Sequence, residues 1–446
     1  MTAPHPPTMR GLLNADGGVP VPRPAARPST EPEPGDLVPP RPPDEFDPGW
    51  VGLGETLPAG TAMLCVTGSG STKQPRLSLT WHHARTVQSA PNQPELPRLG
   101  LSLARLMKEA AEEADATPVR PGREGPWSAA YYQVRNWWQY QSTLVRWIRE
   151  LFATAPQPRL VIWDNTAHNI PWELFYHQPS ATSGSGPEGW LGELVPVVRW
   201  TSVHDGPRIA GYSAAQHVSK GSLLMLEEES LAVPDDGFTR YVVEPRVHSI
   251  DELMQRLDGT GEPPGLVMIR CHGFYAQSAS EFTIGGPSLN RFTGYSMRTL
   301  REFQPPVVLN SCASGQAIQD KQLPGRPVRS FVELFLRYGA SAVVAVNGDI
   351  DIDHSHEFAT RLVASAAERP VNLAAALQEH RRYYCAELGR QRPGRDPKDV
   401  DEDYKHFLTS FLYVYYGHPD TTLHLTQPAD GATGGDGTGR QEGAAL

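Results

Sequence analysis

The sequence is poor in features that would place it in a specialised class of protein. Its 446 residues include four cysteines, Cys65, Cys271, Cys312 and Cys385, scattered without a CxxC pair. The sequence therefore predicts no disulfide framework. No apolar run approaches the roughly 18 residues of a membrane span, and the N-terminus has no apolar signal-peptide core. We therefore expect a soluble, cytoplasmic protein without a membrane partner.

Positive charge is also scarce. The chain has 40 Lys and Arg against 50 Asp and Glu, a net charge of −10, and Lys and Arg form no conspicuous cluster. Phosphate binding needs such clusters, so nucleic acid is not an expected partner. The sequence predicts no cofactor and no metal.

The two ends of the chain lack the composition of a folded core. Roughly 14 of the 43 prolines fall in the first 50 residues, and the end of the chain is rich in glycine without apolar periodicity. Such segments bury too little apolar surface to offset chain entropy. The sequence predicts a disordered Pro-rich arm over residues 1–57 and a disordered Gly-rich tail over 427–446.

Residues 58–153 are predicted to form a mostly helical lead-in region. A short strand is expected at 60–67, a helix over Leu99–Ala114, and one long helix over Trp127–Phe152. In the long helix, apolar residues recur every three to four positions, which is typical of one buried helix face. We interpret its aromatic residues as core residues.

Residues 154–426 show short apolar runs that alternate with helical stretches. This pattern predicts an α/β fold with a mainly parallel central sheet and helices on both faces. The predicted strands are Leu160–Trp163, Leu223–Leu226, Tyr241–Val243, Leu266–Ile269, Val307–Leu309 and Ala342–Val346, and the predicted helices are Ile250–Leu257, Ser330–Tyr338 and Glu357–Ala367. Ligands of such sheets bind beyond the carboxyl ends of the strands.

Two strand ends carry residues suited to covalent catalysis. His272 follows the strand Leu266–Ile269, Cys312 follows the strand Val307–Leu309, and each lies close to a glycine. A thiol nucleophile needs a nearby imidazole that favours the thiolate and later protonates the leaving amine. Backbone N–H groups at Gly273 and Cys312 are candidates to hold the oxyanion.

A purely structural interpretation of these residues stays open, because free cysteines are often buried and single histidines are often structural. Cys271, next to His272, is predicted to be a structural residue.

The chain resembles the CHAT domain, a family of caspase-like cysteine peptidases related to caspases and separases, over about residues 155–425. The motifs that carry the resemblance are Leu160–Asp164 with Ile170–Phe175, Val267–Gly273, Val307–Gly315, Phe335–Val344 and Tyr413–Asp420. The resemblance implies a caspase-like fold, His272 as general base and acid, Cys312 as nucleophile, and Gly273 with the Cys312 amide as oxyanion donors. Family members commonly have Trp-Pro where this chain has Asn347 and Gly348.

Acidic and polar residues near the strand ends are candidates for substrate binding. Asp349, Asp351 and Asp353 follow the strand Ala342–Val346, Asp164 follows the first strand, and Asn310 precedes Cys312. A buried carboxylate among them favours a substrate Arg or Lys, whereas outward-facing acids leave an apolar pocket for Leu or Met. The acids at 349–353, with the histidines that follow, also allow a metal site, a solvated turn or a cleft rim.

The leading functional hypothesis is a cysteine endopeptidase that acts on a protein or peptide substrate. By resemblance, it serves in a bacterial conflict or defence system and has a regulatory protein partner. The main alternative is a catalytically weak or inactive caspase-like scaffold that binds other proteins, because a fold does not guarantee activity. Acyl transfer by the same thiol is a third possibility.

Overall fold

The computed structural model describes residues 60–428 except 70–75, 84–85, 94–102, 117–118, 120–123, 139–141, 155–157, 165, 180–185, 206–207, 212–215, 233–236, 260, 321–327 and 391–394. The described residues belong to a compact unit, Gly49–Leu446. The predicted Pro-rich arm, and all but two residues of the predicted tail, lie outside the described residues.

In this part of the chain the strands are, in order, β1 Thr61–Ser69, β2 Arg76–His83, β3 Thr86–Gln93, β4 Arg159–Asp164, β5 Tyr176–His177, β6 Gly189–Trp190, β7 Val197–Trp200, β8 Ser202–Asp205, β9 Arg208–Gly211, β10 Val218–Gly221, β11 Leu223–Glu227, β12 Leu266–Arg270, β13 Gly273–Phe274, β14 Thr283–Ile284, β15 Val307–Leu309, β16 Ile318–Gln319, β17 Val328–Arg329, β18 Ala342–Val346, β19 Val371–Asn372, β20 Tyr413–Gly417 and β21 Thr422–Leu425. The helices are α1 Leu103–Ala116, α2 Pro126–Trp137, α3 Ser142–Thr154, α4 Leu191–Leu194, α5 Ile250–Asp258, α6 Leu289–Phe292, α7 Arg298–Phe303, α8 Phe331–Arg337, α9 Ile352–Glu368, α10 Leu373–Gly389 and α11 Pro397–Ser410.

A ten-stranded sheet forms the centre of the fold, in the order β11-β12-β15-β18-β20-β7-β4-β1-β2-β3. Its pairings are parallel except β18–β20, β1–β2 and β2–β3, which are antiparallel. Strands such as β12 and β18 are buried throughout, as expected of parallel strands covered on both faces. The predicted mainly parallel α/β fold is confirmed.

Helices cover both faces of this sheet. Alternate residues of β12 belong to different core clusters: Leu266 and Met268 to one, Val267 and Ile269 to the other. The first cluster includes side chains of α1, α2, α9, α10 and α11, and the second those of α5 and α8. The strand alternation therefore presents one set of side chains to each helical layer.

The lead-in region shares the central sheet. Strand β1 pairs in parallel with β4, with Ala62 opposite Leu160, and β2 and β3 continue the sheet beyond it. Asp401 of α11 also holds the first turn of α2, because its carboxylate accepts from the amide N–H groups of Trp127 (3.4 Å) and Ser128 (2.8 Å). The boundary at residues 153 and 154 stays a prediction.

Two secondary-structure predictions are wrong in detail. The single helix expected over Trp127–Phe152 is two helices, α2 and α3. The strand expected at Tyr241–Val243 is a 3-10 turn over Thr239–Tyr241, followed by an isolated parallel bridge between Val242 and Leu223. This segment therefore flanks β11 without adding a full strand to the sheet. No helix in the described part of the chain is both long and apolar enough to cross a membrane.

Candidate active site

The strands that precede His272 and Cys312 are neighbours and parallel. Ile269 of β12 lies opposite Leu309 of β15, and the amide N–H of Asn310 donates to the carbonyl oxygen of Ile269 (2.9 Å). Parallel neighbours end at the same edge of a sheet. His272 and Cys312 therefore leave the sheet on the same edge.

Beyond the strands, Gly273 lies directly against the backbone of Cys312. A Cβ atom at position 273 would be 2.1 Å from the carbonyl oxygen of Cys312 and 3.3 Å from its nitrogen. The amide of Gly285 donates to the carbonyl of His272 (2.8 Å), so Gly273 and Ile284 are a non-hydrogen-bonded pair of the β13–β14 hairpin. Pairing in this hairpin therefore leaves the N–H group of Gly273 unused.

The turn after β15 holds Cys312 in a fixed backbone position. Ala313 has a left-handed backbone (φ 55°), which costs a residue with a Cβ about 1 kcal/mol. Its amide donates to the carbonyl of Gly348 (2.8 Å). The hydroxyl of Ser314 donates to the carbonyl of Leu309 (2.8 Å) and accepts from the amide of Val346 (3.1 Å). These bonds fasten the turn to β15 and β18.

Asn347 and Gly348, which follow β18, support the same turn. Gly348 supplies the carbonyl that accepts from Ala313, and the carbonyl of Asn347 accepts from the Gln316 side chain (3.1 Å). A Cβ at Gly315 would lie 2.5 Å from Oδ1 of Asn347. The space beside the turn is thus filled by an amide side chain.

The Cys312 thiol is half-buried and interacts with Ile350. Its Sγ lies 3.6 Å from the carbonyl oxygen of Ile350 and accepts from the Ile350 amide (3.4 Å). Burial raises the pKa of this thiol; the Ile350 N–H opposes that rise, and the Asp349 carboxylate adds to it. Within the described residues the thiol has no hydrogen bond to His272. The thiol is therefore protonated at neutral pH in this arrangement.

His272 is exposed and is positioned by the segment that follows β11. Its amide donates to Oε2 of Glu228 (2.9 Å), and its ring Nε2 lies 3.4 Å from Oγ of Ser230. Glu228 and Ser230 are not among the residues predicted from the sequence. They also follow a predicted strand, Leu223–Leu226. A search for polar residues after this strand, as was made for His272 and Cys312, would have found them.

Two predicted substrate residues have their polar atoms engaged within the fold. Asn310 is 1% exposed; its Nδ2 donates to the carbonyl of Ser355 (2.9 Å), and its Oδ1 accepts from the hydroxyl of Tyr413 (2.8 Å). The Asp164 carboxylate accepts from the hydroxyl of Thr166 (2.6 Å) and from the indole N–H of Trp172 (2.9 Å). Asn310 is therefore closed to a substrate, and both carboxylate oxygens of the half-buried Asp164 already accept hydrogen bonds.

The acids after β18 influence the thiol. Asp349 is exposed, and both Asp349 and Asp351 act electrostatically on Cys312. Asp351 also caps α9, because its Oδ1 accepts from the amide of His354 (2.7 Å), and it lies 3.8 Å from Nζ of Lys405. The segment predicted as a solvated turn is thus partly helical, with α9 beginning at Ile352. No group of three or more His, Cys, Asp and Glu among the described residues could hold a metal ion.

Apolar side chains flank the same edge of the sheet. Phe274, two residues after His272, is 65% exposed, and Ile352, two residues after Ile350, is 45% exposed. Exposed apolar residues at this edge are suited to contact an extended peptide.

Cys271 differs from Cys312 in its surroundings. It is buried, and its Sγ lies 3.2 Å from Oγ of Ser311. Burial raises the pKa of its thiol to about 12, which leaves it unreactive.

Comparison with known proteins identifies one family. A model of the CHAT domain matches residues 149–399, more than half of the chain. No curated protein matches the sequence. Among solved structures, two crystal structures of the Saccharomyces cerevisiae separase–securin complex, at 2.6 and 3.0 Å resolution, are similar to this chain with 10% and 12% identity and a TM-score of 0.43. The matches cover 81% and 82% of this chain. This chain spans only 30% of the length of each matched chain.

Proposed function

Since the chain belongs to the CHAT domain family, we propose that it is a cysteine endopeptidase in which Cys312 is the nucleophile and His272 the general base and acid. The observation that carries this proposal is the contact between Gly273 and Cys312, because it joins the two strand ends that hold the dyad. Cys65 and Cys271 are buried, and burial together with the Glu193 carboxylate raises the pKa of the half-buried Cys385 thiol.

In the proposed reaction, His272 takes the thiol proton and the Cys312 thiolate attacks the carbonyl carbon of the scissile peptide. The N–H groups of Gly273 and Cys312 stabilise the negative oxygen that forms. The His272 imidazolium then gives its proton to the leaving amine, and a thioester joins the substrate to Cys312. Water activated by His272 hydrolyses the thioester and restores the thiol.

This reaction requires the thiol to exchange its contact with Ile350 for a contact with His272. Its present contacts lie on the Asp349–Asp351 side, where burial and nearby carboxylates favour the protonated form. Glu228 and Ser230 position His272 from the opposite side. In the proposed mechanism this arrangement is the resting state, and the Cys312 side chain must turn from Ile350 toward His272 before catalysis.

Asp349 and Asp351 favour a basic residue before the scissile bond. They are the carboxylates that act on the thiol, whereas Asp164 is bonded to Thr166 and Trp172. A substrate Arg or Lys there gains charge-assisted hydrogen bonds and offsets the repulsion that the acids exert on the thiolate. A role in bacterial conflict or defence rests on the family alone.

A second candidate function is an inactive scaffold, and the bond between Cys312 and Ile350 is the observation that favours it. Incubating the protein with a proteome-derived peptide library, and identifying new termini by mass spectrometry, separates the two. We expect cleavage by the wild type and by Cys271→Ser, and none by Cys312→Ala or His272→Ala. The peptidase proposal would be rejected if Cys312→Ala still cleaved peptides. It would also be rejected if the wild type cleaved no peptide, whatever the charge of the residue before the scissile bond.

A further inference from the structure

A cleft of about 690 Å³ lies between α9, β19 and α10, away from the residues of the dyad. Phe358, Leu362, Val371 and Ala376 give it apolar walls, and Arg361, Arg369 and His380 also line it. This volume is in the range of pockets that hold small organic ligands.

His380, at the buried end of this cleft, has no polar partner. It is 5% exposed, and neither ring nitrogen has a hydrogen-bond partner among the described residues. The ring centroids of Phe358, Tyr384 and His354 lie 5.1, 5.2 and 5.3 Å away, and the ring nitrogens of His354 likewise have no hydrogen-bond partner among the described residues. A buried imidazole without a partner is costly, so a polar atom supplied from the cleft would stabilise it.

The rim of the cleft is positively charged. Arg369 is exposed and forms no ion pair within the described residues, while Arg361 pairs with Glu357 and stacks 3.6 Å from the ring centroid of Tyr383. Glu379, the carboxylate among the lining residues, is bonded to an arginine of its own helix (2.6 Å). An unbalanced guanidinium beside apolar walls favours a ligand that is anionic at one end and apolar at the other.

We propose that this cleft binds a small organic anion with an apolar body. Its anionic group lies at Arg369, its body packs on the partly exposed Val371 and Ala376, and a polar atom of the ligand reaches a ring nitrogen of His380. Nothing in this assignment depends on catalysis by Cys312.

The cleft is also connected to the nucleophile. Phe358 stacks on Tyr413 with ring centroids 3.8 Å apart, and the Tyr413 hydroxyl donates to Asn310, two residues before Cys312. Helix α9, one wall of the cleft, begins two residues after Ile350, the partner of the Cys312 thiol. A ligand that moves α9 would therefore change the position of the thiol, and only its effect on peptide cleavage rests on the proposed function.

Binding is measured with 8-anilinonaphthalene-1-sulfonate, a fluorescent amphipathic anion, and with the uncharged N-phenyl-1-naphthylamine. We expect Arg369→Gln and His380→Phe to weaken binding of the anion about five-fold or more each, which corresponds to the loss of roughly one hydrogen bond. Arg298→Gln, which removes an exposed arginine of α7, is the matched control and leaves binding unchanged. Arg369→Gln leaves binding of the uncharged probe unchanged.

Coupling is measured as the rate of Cys312 alkylation by iodoacetamide, which needs no peptidase activity. We expect the saturating anionic probe to change this rate at least two-fold in the wild type and not in Arg369→Gln. Equal binding by the wild type and both cleft variants overturns the site. An unchanged alkylation rate in the wild type overturns the coupling, whether or not peptides are cleaved. If His380→Phe melts at a clearly lower temperature than the wild type, Arg369→Gln alone decides the result.

Discussion

The α-carbon of Gly273 lies so close to Cys312 that a side chain at position 273 would overlap the Cys312 carbonyl, with a Cβ–O distance of 2.1 Å. Glycine is the residue that permits this approach, because the overlap is with backbone that β15 holds in place. The proximity of the two strand ends is therefore built into the backbone.

Gly273→Ala should displace the turn that carries Cys312. A displacement of about 1 Å in a catalytic group lowers rates by roughly a hundred-fold, and we expect a loss of at least that size in peptide cleavage. Gly261→Ala is the matched control, because a Cβ there meets no atom within 4 Å. Full activity of Gly273→Ala would show that the turn tolerates the overlap and that the contact has no catalytic importance.

The reactivity of Cys312 should depend on Asp349. Burial and the Asp349 carboxylate raise the pKa of the thiol, so alkylation should accelerate only as the pH rises above the ordinary range of a free cysteine. Asp349→Asn removes one repulsive charge and should move the midpoint of this profile to lower pH. Asp353→Asn, another exposed acid of the same segment, should leave the midpoint in place. A shift to higher pH in Asp349→Asn would contradict the electrostatic account.

Cleavage specificity should follow the same carboxylates. A positional peptide library should show preference for Arg or Lys before the scissile bond, and Asp349→Ala should lower cleavage of these substrates about ten-fold. Asp164→Ala should keep the preference, since its carboxylate is bonded to Thr166 and Trp172. Strong cleavage after Leu or Met with none after Arg or Lys would instead identify an apolar pocket.

Asp401 of α11 should stabilise the fold by capping α2, a helix of the lead-in region. Its buried carboxylate binds two amide N–H groups at the start of α2, as a helix cap from another part of the chain. Asp401→Ala should lower the free energy of unfolding by about 1–2 kcal/mol in a denaturant titration. Glu113→Ala, which removes an exposed acid of α1, should change it by less than about 0.5 kcal/mol. Equal effects would show that the tertiary cap adds no stability.

Much of the fold follows from local pattern. The short apolar runs of β12, β15 and β18 can be recognised in the sequence. Parallel strands are buried on both faces, so nearly all of their residues are apolar. The division into α2 and α3 could not be predicted from the sequence. Helical spacing continues from one helix to the other, at Val134, Trp138, Val145 and Ile148. Periodicity reports which face is buried and is insensitive to a short interruption.

The candidate site was predictable only in part. His272 and Cys312 follow strands and are found by that rule. The contact of Cys312 with Ile350, and the engagement of Asn310 and Asp164 within the fold, depend on side chains far apart in sequence. A polar residue at a strand end is as able to support the loop as to face the substrate, and only the tertiary contacts distinguish the two roles.

The central claim is that His272 activates Cys312, and labelling with a peptide-based thiol-reactive probe, located by mass spectrometry, tests it most directly. We predict modification at Cys312 in the wild type, at least ten-fold slower modification in His272→Ala, and no modification of Cys271. Equal labelling of Cys312 with and without His272, or faster labelling at another cysteine, would contradict the dyad.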